Sequence, residues 1–76
     1  MEKMTKEFVE KNVADGKIVA ELMGRYNTPG GEMEVAVITD NMIASIVMIN
    51  SSGKHMVVGI DGIQRNIAAG KMVKIA

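Results

Sequence analysis

Met42-Ile43-Ala44-Ser45-Ile46-Val47-Met48-Ile49 is the stretch on which the fold turns. Read with a period of two, one face carries Met42, Ala44, Ile46 and Met48, the other Ile43, Ser45, Val47 and Ile49. Both faces are apolar, the pattern of a strand covered on each side. A single 76-residue domain readily covers only one face of a sheet. The second must be met by a helix of the chain or by another subunit, so Met42, Ile43, Ala44, Ile46 and Met48 form the candidate interface.

Working outward, the neighbouring segments also read as strands. Glu32 to Thr39 alternates, with Met33, Val35 and Val37 opposite Glu34, Ala36 and Ile38. Between these two runs Thr39-Asp40-Asn41 reads as a short turn. Upstream, Asn27-Thr28-Pro29-Gly30-Gly31 is a turn in which proline presets φ and glycine accepts the positive φ that follows. Lys17 to Tyr26 reads as a further alternating strand, with Gly24 marking a bulge or bend. Downstream, Asn50-Ser51-Ser52-Gly53 turns the chain into a strand from His55 to Ile60, and Asp61-Gly62 signals another turn. Gln64 to Ala69 before Gly70 fits either a helical turn with its C-cap or irregular structure. Lys71 to Ala76 closes as a strand.

Only the N-terminus has helical period. Met4, Phe8, Val9 and Val13 fall on one stripe, Thr5 suits the N-cap, Glu7 suits the first turn, and Gly16 suits the stop. Met4 before the cap and Val9 within the helix are spaced as a hydrophobic staple. A helix over about 5–15 and strands from about 17 onward therefore predict one domain spanning 1–76. Nine Val and nine Ile against the single Leu22 support the same class, since β-branched residues suit a pleated sheet. The expected fold is mostly β, a small antiparallel β-barrel or sandwich of about five strands with one N-terminal α-helix.

Composition excludes more functions than it supports. The absence of cysteine removes disulfides, thiolate metal sites and cysteine nucleophiles. One Tyr, one Phe and no Trp leave no aromatic stacking platform. No long apolar segment spans a bilayer, and the charged start lacks a signal-peptide core, so the expected location is cytoplasmic, with no membrane partner. His55 is the only histidine, and no serine sits in a nucleophile-elbow context. Glu32 and Glu34 share one strand face, as carboxylates for acid–base chemistry would, but a solvated face has the same pattern. Gly53-Lys54 and Gly70-Lys71 lack the upstream glycine of a phosphate loop. No catalytic residue, metal ligand or cofactor is assigned, and the chain reads as a non-enzyme.

Nine basic residues balance nine acidic ones, unevenly along the chain. Residues 1–40 hold eight acidic and five basic side chains, a net of −3, and residues 41–76 hold four basic against Asp61, a net of +3. Lys54, His55, Arg65, Lys71 and Lys74 are accordingly the candidate contacts for a small anion or nucleic acid. Eight methionines, spread over nearly every expected strand, suit core filling or an adaptable contact surface.

In layout, a helix followed by about five strands in so short a chain resembles the Sm-like small barrels, which form rings and bind RNA. Leu22-x-Gly24, Gly31-x-Met33 and Asp40-x-Met42 are loosely similar to their first motif, and Ile60-Asp61-Gly62 stands near the place of their second. Asp40 follows Met33 by seven residues, later than in that motif, and Asp61 stands where the family offers a basic residue. The resemblance implies ring assembly and a nucleic-acid-binding small barrel as the alternative function. The residues themselves point first to a small homo-oligomeric binding or assembly module, an accessory or regulatory protein acting on a protein partner.

Overall fold

A computed structural model describes residues 2–76. The elements follow in the order β1 (Glu2–Lys3), α1 (Lys6–Asn12), α2 (Gly16–Leu22), β2 (Gly24–Thr28), β3 (Gly31–Asp40), β4 (Ile43–Asn50), β5 (His55–Val57), α3 (Ile60–Ala68) and β6 (Val73–Lys74). The fold is mostly β, but neither a barrel nor a sandwich. Six antiparallel strands form one open sheet in the order β5-β4-β3-β2-β6, and β1 pairs with the far end of β3. The radius of gyration, 11.7 Å, is close to the roughly 11.4 Å of a compact 76-residue chain.

The long hairpin β3–β4 is the frame. Its register runs from Asp40↔Ile43 at the tip to Met33↔Asn50. Strand β2 pairs with the first half of β3, from Thr28↔Gly31 to Gly24↔Val35. The connecting turn is held by Thr28, whose hydroxyl donates to the Gly31 carbonyl at 2.7 Å and accepts from the Gly30 N–H at 3.2 Å. At the β4–β5 turn the Asn50 side-chain oxygen accepts from Ser52 N–H, the Ser52 hydroxyl and Lys54 N–H, all within 3.0 Å. Gly53 takes the positive φ (85°) that this turn requires.

Helix α1 begins where Thr5 accepts from Phe8 N–H at 3.2 Å, but it ends at Asn12. Lys17 to Leu22 is helical rather than extended, so the expected strand there shrinks to Gly24–Thr28. Gly16, Val19, Ala20 and Met23 are all buried, spaced i, i+3, i+4, i+7 as one helical face. Gly16 thus opens a second helix instead of closing the first, after Asp15 turns the chain in the left-handed region (φ 55°).

The open choice at 64–69 resolves as helix. It starts earlier, at Ile60, so Asp61-Gly62 lies in a first turn and the preceding strand stops at Val57. Gly70 (φ 75°) ends this helix, with Lys71 and Met72 N–H donating to the Asn66 carbonyl. The last expected strand is reduced to Val73–Lys74, paired with β2. Three helices therefore replace one.

The core lies on one sheet face. Val35 and Met48 pack with Leu22, Tyr26, Ile63 and Met72, while Val37 packs with Val9, Val19, Ala20 and Met23. Met4 packs on the second group beside Val9, as a staple would. The opposite face holds a small cluster of strand residues alone: Ala36, Ile38 and Val47, edged by Ile49.

Candidate interaction surface

The two-faced strand β4 divides along its length. Ile46 and Met48 point under the helices and belong to the core. Met42, Ile43 and Ala44 stand at the hairpin tip, Met42 fully exposed and Ile43 66% exposed. Of the five candidate interface residues, these three present side chains to solvent.

Between the tip and α1 runs a groove of about 510 Å³, with Met4, Phe8, Val13, Met42 and Ala44 in its walls. A smaller cleft of about 290 Å³ continues it past Phe8 toward Glu2 and Lys3. Phe8 is 48% exposed although it sits on the expected apolar stripe. It lies about 100° around the helix from buried Val9, so both cannot face the sheet. The sequence reading therefore misses Phe8 and Val13 as surface-lining residues. The angular offset between adjacent Phe8 and Val9 is the signal that points to Phe8.

The five candidate anion contacts do not converge. Lys54 and His55 flank a cleft of about 310 Å³ floored by Met33, Met48 and Met56 at the β5 edge. Lys74 is on β6 at the opposite edge, four strand spacings or about 19 Å across the sheet. Its ammonium donates to the Glu21 carbonyl at 2.8 Å, closing the end of α2, and stands 6.0 Å from the Tyr26 ring centre. Arg65 lies on α3, where its Nε donates to the Asp61 carbonyl at 3.4 Å, and Lys71 follows that helix, exposed. Glu32 and Glu34 are engaged as well. Glu32 accepts from Arg25 at 3.1 Å, and Glu34 from Lys3 at 2.6 Å, both pairs at the surface. Among the described residues no three His, Asp or Glu side chains gather into a group able to hold a metal ion, and no helix is long and apolar enough to cross a membrane.

Tyr26 is the buried polar side chain that organises the core. Its hydroxyl donates to the Leu22 carbonyl at 2.8 Å, joining the end of α2 to β2, and burial raises its pKa above the ordinary 10. It is a structural group, packed in the core with Leu22, Val35, Met48, Ile63 and Met72.

No protein-family model, curated protein or solved structure matches this chain. The surface itself is what bears on function.

Proposed function

We propose that the chain is a non-catalytic binding or assembly module that works as a homo-oligomer through exposed apolar surface. The observation that supports this reading is the area left open. The molecule exposes 5070 Å², where a compact monomer of 8.2 kDa exposes about 4,500 Å². Nine large apolar side chains among the described residues contribute to that surface, Met42, Val57 and Ile43 most fully. Isolated exposed apolar residues are ordinary, but Met42 and Ala44 line one groove with Met4, Phe8 and Val13. A cysteine-free domain of this size has a thin stability margin, which burial between subunits enlarges.

An accessory or regulatory role in the cytoplasm fits a module whose distinctive feature is a contact surface. The nucleic-acid reading draws no support from basic residues divided between two sheet edges and a helix. Gel filtration with light scattering at micromolar concentration tests the proposal. An oligomer is expected, and a uniform 8.2 kDa species with no concentration dependence overturns it.

A further inference from the structure

The turn between β3 and β4 departs from the usual chemistry of tight hairpins. Asn41 and Met42 are its two central residues, and both have positive φ, 50° and 65°. At the second of these positions glycine is favoured, because a β-carbon crowds the backbone there. Met42 occupies it, and its side chain is wholly exposed. The other described methionines are sheltered to different degrees. Met23, Met48 and Met72 are buried in the two larger core clusters, Met4 and Met33 are half-buried against them, and Met56 on the edge strand is 56% exposed. Core filling therefore accounts for five of these seven side chains and does not account for Met42.

We propose that Met42 is the site at which peroxide modifies this protein, and that its sulfoxide is a reversible switch of polarity at the hairpin tip. A thioether has no proton to lose, so access rather than ionisation decides which sulfur reacts. The step is a two-electron oxygen transfer. A lone pair of the Met42 sulfur forms the S–O bond as the O–O bond of hydrogen peroxide breaks, and the proton on the transferred oxygen passes to the departing hydroxide. Sulfur is oxidised to the sulfoxide, and the peroxide is reduced to water. The product is polar and chiral where the thioether was apolar. At Met42 that change falls on the rim of the groove lined by Met4, Phe8, Val13 and Ala44, and disturbs no buried packing. At Met23 or Met48 the same oxygen would lie among buried apolar side chains, which costs stability. The fold therefore survives the first oxidation but not those that reach the core. An exposed sulfoxide is also open to a methionine sulfoxide reductase, which restores the thioether. The accessibility of Met42 is that of the free chain and does not rest on self-association.

The test is peroxide treatment of dilute protein at neutral pH, followed by tryptic digestion and mass spectrometry. Met33, Met42 and Met48 fall in one tryptic peptide, residues 26–54, so their oxidation is compared within a single fragment. Met42 is expected to react at least about tenfold faster than Met33 or Met48, with Met56 between them, and all are expected to react alike in urea. Protein carrying one added oxygen is expected to keep its circular dichroism and to lose that oxygen to a methionine sulfoxide reductase. Met42→Leu is expected to remove the fastest phase and leave that of Met56. Equal rates in the folded protein, a fastest phase unchanged by Met42→Leu, or unfolding on addition of the first oxygen would each overturn the assignment. A first sulfoxide that the reductase cannot reduce would overturn its reversibility.

Discussion

Tyr26 shows how one side chain can set a property of the whole molecule. It is the only tyrosine, it is 2% exposed, and its hydroxyl closes a 2.8 Å bond to the Leu22 carbonyl. Desolvation holds its pKa above the ordinary value of 10. Below that pH the folded and unfolded chains both keep the phenol proton, and this group makes stability no steeper. As pH rises past 10 the unfolded chain loses the proton while the folded chain retains it, so stability falls until the higher folded pKa is passed. Ultraviolet absorbance of tyrosinate reads this residue alone. Ionisation is expected above pH 10 and coupled to unfolding, and a titration at the ordinary value with the fold intact would refute it. Tyr26→Phe should abolish that coupling while costing about 1 kcal/mol at neutral pH, through the Leu22 carbonyl it leaves unpaired.

At the scale of elements, the packing of α1 on α2 leaves no room for a side chain at Gly16. A β-carbon added at Gly16 would stand 2.1 Å from the Val9 carbonyl oxygen and 3.0 Å from the Glu10 Cα, backbone atoms that cannot rotate aside. Gly16→Ala is therefore expected to destabilise by about 3 kcal/mol in urea unfolding, with loss of helical circular dichroism. Gly62 is the control. It lies inside α3 with nothing within 4 Å of an added β-carbon, so Gly62→Ala should stabilise by roughly 0.5–1 kcal/mol. Equal effects at the two sites would contradict the close approach of the helix pair. The turns tell a similar story of local demand. Asn50 satisfies three donors with one oxygen and needs no tertiary help, which is why the Asn50-Ser51-Ser52-Gly53 turn is readable in sequence.

For the whole molecule, the proposed self-association makes stability a matter of concentration. An assembly that binds only folded chains draws the equilibrium toward the folded state. The midpoint of thermal unfolding is expected to rise by several degrees across a hundredfold increase in protein concentration, measured by calorimetry. A midpoint independent of concentration would count against self-association. By itself the sequence determined the mostly β class, the β2–β3 and β4–β5 turns, the Thr5 start of α1 and the crowding of apolar residues on β4, because each follows from a local period or turn preference. The β3–β4 turn, expected at Thr39-Asp40-Asn41, lies instead at Asn41-Met42, with Thr39 and Asp40 inside β3. Only the tertiary structure decided the rest. Ile18, Val19, Ala20, Leu22 and Met23 satisfy a strand period and a helical one equally, and packing of Val19, Ala20 and Met23 against Val9 and Val37 selects the helix. The pairing of Glu2–Lys3 with β3 has no local signal in two residues and depends on a partner more than thirty positions away. The candidate surface was half legible for the same reason. Met42 to Ala44 stand out in the sequence, whereas the groove beside them exists only because α1 crosses the end of the hairpin and turns Phe8 away from the core.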